Sequence, residues 1–196
     1  MAAKIVLVGG TSHAGKSTLA TDIAMRLGWR CLSTDSLARH PGRPWQTEPH
    51  VVPPHVVEHY RDLELNALMQ SVLRHYDSMW EVHILPLIEC EAGLVMEGSA
   101  LLPETVAPLL SDRVRAVWLV ASDAVIERRM KAESDYALRD DDSRLLIDKF
   151  LSRALAFNRF IADEVTRLKL VKIDIDLDSD GDDQSLRVLE GLRISD

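Results

Sequence analysis

The stretch Ile5-Val-Leu-Val-Gly-Gly10-Thr-Ser-His-Ala-Gly15-Lys16-Ser17-Thr18 decides how this chain is read. Its first four residues are apolar and mostly β-branched, as in a strand covered on both faces. The eight residues Gly10 to Ser17 satisfy G-x-x-x-x-G-K-[ST]. A chain that wraps a phosphate must turn successive amide N–H groups inward, and glycine permits the backbone angles and the close approach. Leu19, Ile23 and Leu27 then recur at helical spacing up to Gly28, so a helix starts at Lys16 and points its N-terminus at the same anion. Lys16 offers a positive charge to the β- and γ-phosphates, and the Ser17 hydroxyl a ligand to magnesium. Nucleotide phosphates are therefore expected on Gly10, Thr11, Ser12, His13, Ala14, Gly15, Lys16, Ser17 and Thr18, with His13 read as a solvent-facing member of the loop or, as the alternative, a contact to the γ-phosphate or an acceptor.

Outward from this segment, short apolar runs alternate with longer helical patterns, which predicts a parallel sheet flanked by helices. Strands are expected over 4–9, 30–34, 93–97, 115–121 and 170–174, and helices over 16–27, 122–133, 144–168 and 184–192. Pro53-Pro54 starts a helix whose face reads Val56, Tyr60, Leu63, Ala67, Gln70 and Leu73, and 80–91 reads as its continuation or as a second short helix. The gap between the second and third strands exceeds a normal crossover and suggests an inserted helical subdomain at about 39–91.

With 196 residues, 46% of them hydrophobic and 28% charged, the chain suits one globular domain. A formal charge of -8 argues against binding a nucleic-acid backbone, which needs a basic face. No apolar run reaches the roughly 20 residues of a membrane span, and the first apolar stretch is too short for a signal peptide, so a cytoplasmic monomer or homodimer is expected. Cys31 and Cys90 read as small buried thiols of a reducing compartment.

In open parallel sheets ligands sit beyond the carboxyl ends of the strands. Asp35 follows the second strand and Glu97 closes the third. There a carboxylate serves as base for an acceptor hydroxyl, or holds magnesium directly or through water; Asp35 is assigned both uses, and Glu97 assists metal or acceptor. Substrate contacts are also expected from Arg39, Arg43 and Trp45 in the proline-rich loop, two guanidinium forks for an anion and a flat apolar surface. Two other patterns compete. His55-Val-Val-Glu58-His59 spells the inverted zinc-protease motif without a third ligand. Asp176, Asp178, Asp180 and Gly181 begin an EF-hand loop that fails at its twelfth position, Arg187.

Gly9-Gly10-Thr-Ser, Gly15-Lys16-Ser17-Thr18, Ser33-Thr34-Asp35-Ser36, Val95-Met96-Glu97-Gly98 and Leu101-Leu102-Pro103 together resemble the kinase domain of 2-phosphoglycerate kinases. Asp35-Ser36-Leu37 also resembles chloramphenicol phosphotransferase, in which the aspartate after the second strand is the base. Both belong with the P-loop kinases related to nucleoside monophosphate, shikimate and gluconate kinases. The resemblance covers residues 4–38 and 93–131. Against the pattern, His13-Ala14 replace smaller residues, and Ser99-Ala100 stand where a histidine often follows Glu-Gly. It implies a three-layer α/β P-loop NTPase fold with a five-stranded parallel sheet ordered 2-3-1-4-5 and a lid at about 132–145. It further implies ATP and magnesium, transfer of the γ-phosphoryl group to a hydroxyl of a small molecule such as a phosphorylated acid, and charge-stabilising arginines from the lid region, here Arg128 and Arg144. A nucleoside monophosphate kinase and a regulatory P-loop nucleotide-binding protein are the alternatives.

Overall fold

Strand β1 (Ile5–Gly10) is buried along its whole length because strands flank it on both sides and helices cover both faces. The computed structural model describes residues 4–38, 42–45, 51–177, 184–192 and 194. Among these, β1 is joined by β2 (Arg30–Ser33), β3 (Leu94–Glu97), β4 (Val114–Ala121) and β5 (Lys172–Ile175). All pairings are parallel and the order is β2-β3-β1-β4-β5, as expected. Val8 pairs with Glu97, and Glu97 with Ser33. The carboxyl ends of β1, β2 and β3 are therefore level, and the loops that follow them leave at one edge.

Side chains of a strand alternate between the two faces of its sheet. Val6, Val8, Val95, Val117 and Leu119 pack on one face with α1 (Lys16–Leu27), α2 (Pro54–Asp62) and the apolar side of α6 (Asp123–Glu133). Ile5, Leu7, Leu94, Met96, Ala116 and Trp118 form the other face, under α3 (Leu65–Met79), α4 (Leu85–Cys90) and α5 (Pro103–Val106). Helix α7 (Asp141–Arg167) contributes to both clusters, with Phe150 in the first and Phe157 in the second. Helix α8 (Gln184–Gly191) closes the first.

Three expectations are corrected. The helix begun at Pro54 ends at Asp62, where Leu63 adopts an extended conformation, and α3 restarts at Leu65. The interruption rotates the face, so Leu68, Val72, Tyr76 and Met79 are buried while Gln70 is exposed. A π-turn (Trp80–Ile84) then links α3 to α4. Helix α7 begins three residues earlier than expected, at Asp141, because Asp140 accepts from the Ser143 amide at 2.7 Å and caps it. Finally, Cys31 and Cys90 are free but exposed. Cys31 lies on β2, an edge strand with exposed residues, and Cys90 ends α4.

Candidate functional site

The phosphate loop, the ends of β2 and β3, and helices α3, α6 and α7 enclose one cleft of about 1270 Å³. At its floor, Gly15 stands at φ 102, a left-handed conformation favourable for glycine, and caps α1. Thr11 to Thr18 all line the cleft. The Lys16 ammonium is buried and donates to the Thr11 carbonyl at 2.7 Å. Burial lowers its pKa, while the nearby carboxylates of Glu97 and Asp35 oppose the shift.

Glu97 is buried, and its Oε1 accepts from the Ser17 hydroxyl at 3.1 Å. Two hard oxygen donors thus meet beside the loop. Among the described residues no three His, Cys, Asp or Glu side chains form a metal cluster. Magnesium uses one or two protein oxygens completed by phosphates and water, and that donor set fits. His55, Glu58 and His59 belong to no such cluster, and 178–183 lie outside the described residues.

Asp35 is exposed and lines the cleft in a single turn of 3₁₀ helix (Thr34–Ser36). Ser33 caps that turn by accepting from the Asp35 amide, so the Asp35 carboxylate is not its cap. Ser99 donates to the Gly10 carbonyl at 2.9 Å and ties the end of β3 to the start of the loop. Above them Val72, Tyr76 and Phe157 form an apolar wall. Burial pushes the Tyr76 hydroxyl up to about 12, so it remains protonated and able to donate.

The arginines are not arranged as the resemblance implies. Arg128 is exposed and absent from the cleft lining, whereas Arg129 lines it and donates to the His13 carbonyl at 3.0 Å. Helical phase explains the exchange, since Arg129 follows the buried Val125 and Ile126 by four and three positions. Arg144 also lies away from the cleft lining. It donates to the Tyr136 and Ala137 carbonyls at 3.2 and 2.9 Å and stacks over the Tyr136 ring, bound to its own turn. Arg43 lines the cleft, paired with Glu133. Arg39 lies outside the described residues. Trp45 does not present a surface to the cleft: it is 4% exposed and packs edge-on against Phe150.

His13 is the other correction. Its side chain is 4% exposed rather than solvent-facing, with ring centroids 6.0 Å from Trp45 and 6.5 Å from Phe150. Burial lowers its pKa to about 4 against the pull of Glu133, so the ring is neutral near physiological pH. A carboxylate only accepts, so Nε2 carries the proton and donates to Glu133 Oε2 at 3.0 Å; Nδ1 accepts from Ser12 Oγ at 3.0 Å.

Arg153 is a cleft residue that the sequence reading missed. It is 6% exposed, its guanidinium lies 4.4 Å from the Phe150 ring centroid and 5.5 Å from that of Tyr60, and it bonds the Tyr60 hydroxyl. Among the described residues no carboxylate pairs with it. The available signal was periodicity: an arginine interrupts the apolar stripe of Leu146, Phe150, Ala154, Phe157 and Ile161.

No protein-family model matches this sequence, and no curated protein matches it. Solved structures do. Deoxyadenosine kinase from M. mycoides with bound dATP is 16% identical, with a TM-score of 0.54 over 97% of this chain and 99% of that one. Shikimate kinase from Aquifex aeolicus vf5 is 14% identical, with a TM-score of 0.51 over 96% of both chains. Shikimate kinase from Acinetobacter baumannii in complex with shikimate is 14% identical, with a TM-score of 0.50 over 97% of this chain and 93% of that one. The chain has the P-loop kinase fold that these small-molecule kinases share. Among the described residues no helix is long and apolar enough to cross a membrane.

Proposed function

We propose that this protein is a magnesium-dependent kinase that transfers the γ-phosphoryl group of ATP to a hydroxyl of a small acceptor carrying an anionic group. The observation that carries the reading is the content of one cleft. A complete phosphate loop opens onto an exposed carboxylate, Asp35, and onto a buried guanidinium, Arg153, with no carboxylate partner among the described residues.

In this reading Lys16 and the loop amides hold the β- and γ-phosphates, and Arg129, anchored on the loop, faces the same anion. Ser17 and Glu97 hold magnesium, which neutralises charge on the phosphate oxygens when bound. Asp35 accepts the proton of the acceptor hydroxyl as its oxygen bonds to the γ-phosphorus and the bond to the bridging oxygen of ADP breaks. A buried charge is costly without a counter-ion, so Arg153 fits a carboxylate or phosphate of the acceptor, whose apolar part lies against Val72, Tyr76 and Phe157. A phosphorylated hydroxy acid such as 2-phosphoglycerate has this chemistry. The helices between β2 and β3 serve as the acceptor-binding part, and residues at about 132–145 as the lid.

The test is ATP consumption with magnesium across phosphorylated hydroxy acids, hydroxylated carboxylic acids, sugars, chloramphenicol-like alcohols and nucleoside monophosphates, with Lys16→Ala as control. Consumption that depends on an anionic acceptor and is lost in the variant is expected. Consumption that ignores every acceptor would favour a regulatory nucleotide-binding protein, and dependence on nucleoside monophosphates would move the acceptor class.

A further inference from the structure

One carboxylate joins three parts of the cleft. Glu133 is the last residue of α6; its Oε2 holds His13 in the phosphate loop, and its Oε1 holds the Arg43 guanidinium from the loop after β2. The anchoring is redundant on the loop side, since Arg129 of the same helix grips the His13 carbonyl. His13 itself stands at φ 65, a left-handed conformation that a residue with a Cβ rarely adopts and that these contacts hold in place. On the other side, Arg43 is steadied by the Trp45 ring, 5.9 Å from the guanidinium carbon, and Trp45 packs on Phe150 of α7. The Arg43 guanidinium therefore sits one carboxylate away from the apex of the phosphate loop, in the lining of the same cleft.

A carboxylate beside a triphosphate site repels the ligand unless something offsets it. Glu133 is offset twice, by the Arg43 cation and by the His13 N–H, so its remaining effect is geometric. It fixes where the Arg43 charge stands relative to the loop. We propose that Arg43, delivered from the loop after β2 and not from the lid region, is a ligand of the γ-phosphate, and that Glu133 is its positioning residue, tied to the phosphate loop through His13. This inference rests on the kinase reading of the cleft. It adds a γ-phosphate sensor: a diphosphate leaves Arg43 on Glu133 alone, and a triphosphate gives it a second anion.

Calorimetric titration of the full chain with magnesium and either ADP or the β,γ-imido analogue of ATP reads the γ-phosphate contact as a ratio of affinities. Arg43→Ala is expected to lower the triphosphate affinity about tenfold or more, the size of a lost charge-assisted hydrogen bond, with ADP affinity within about twofold. Glu133→Gln should give the same selective loss, and Glu133→Asp, which keeps the charge on a shorter stem, an intermediate one. Retained ADP affinity certifies the fold of each variant. An unchanged ratio in Arg43→Ala, or an equal loss for both nucleotides, overturns the inference and leaves the nucleotide site standing. Tighter triphosphate binding in Glu133→Gln overturns the positioning role. Failure of the unaltered chain to bind either nucleotide overturns this inference and the kinase reading together.

Discussion

The Ser17 hydroxyl donates to Glu97 Oε1 at 3.1 Å, across 80 residues of sequence. The contact joins the first helix of the chain to the end of its third strand, and it exists because β1 and β3 are neighbours in register, with Val8 opposite Glu97. Buried beside it, Lys16 feels Glu97 more strongly than the exposed Asp35. The two carboxylates thus have separable places, Glu97 at the serine and Asp35 at the open side of the cleft.

That separation makes Asp35 the group to test for proton transfer. Asp35→Asn should keep ATP affinity and lose phosphoryl transfer by about 100-fold or more, as removal of a general base does. Single-turnover rates at saturating acceptor measure it, and an unchanged rate would remove Asp35 from the chemistry.

Arg129 and Arg128 offer a comparison of neighbours. Because only Arg129 lines the cleft and touches the loop, Arg129→Gln should cost about tenfold or more in kcat/KM for ATP. Arg128→Gln, on the exposed face of α6, should leave that constant within about twofold. Equal effects would contradict the placement of the two side chains.

Arg153 gives a prediction about the acceptor alone. Arg153→Gln should raise KM for an anionic acceptor about tenfold or more while KM for ATP moves little, since in the proposed reading the guanidinium, held against Phe150 and Tyr60, meets the acceptor, and Lys16, Arg129 and the loop amides meet the nucleotide phosphates. Steady-state kinetics with each substrate varied in turn separate the two constants.

Gly98 is required by packing. At φ 156, a Cβ there would overlap Thr34 Oγ1 and come within 2.8 Å of the Thr34 Cβ. Thr34 is fully buried and begins the turn that carries Asp35, so it has no room to withdraw. Gly98→Ala should destabilise the fold by about 1–3 kcal/mol, in the range of overpacked cores, and Thr34→Ala should recover part of the loss. Urea unfolding of the single and double variants reads both.

Burial, the largest cause, holds His13 neutral with a pKa of about 4 against an ordinary 6.5. As pH falls through 6.5 the unfolded chain takes up a proton that the folded protein refuses until about 4, so stability declines across that window and is fully present above it. His59 and His75, also lowered by burial, contribute in the same direction. His13→Asn, a residue tolerant of the left-handed conformation, should leave their part and reduce the pH dependence of the unfolding midpoint between about 4 and 6.5.

The strands, the phosphate loop, the start of α1 and the positions of Asp35 and Glu97 were legible in the sequence, because each rests on local chemistry; strand order was implied by the family resemblance and not by local pattern. A strand that will be covered on both faces is continuously apolar, a phosphate-wrapping turn needs its glycines, and a carboxylate at a strand end is carried to the sheet edge by the strand itself. The choice of arginines was not legible in the same way. Arg128 and Arg129 are adjacent in sequence but lie on different faces of one helix, and the phase that selects Arg129 is set by Val125 and Ile126 docking on the core. Arg144 was lost to the carbonyls of its own turn, and Trp45 to the aromatic cluster around Phe150.

Long-range relationships were decided by the tertiary structure alone. Nothing local brings Glu133 to His13 across 120 residues and to Arg43 across 90, or brings the Tyr60 ring of α2 to the Arg153 guanidinium of α7. Those contacts depend on how α2, α6 and α7 dock against the sheet. The sequence by itself determined the sheet and the phosphate site, because hydrophobic periodicity and glycine conformational freedom act over a few residues. Tertiary structure decided which cations reach that site, because the position of a charged side chain follows from the packing of the helix or loop that carries it.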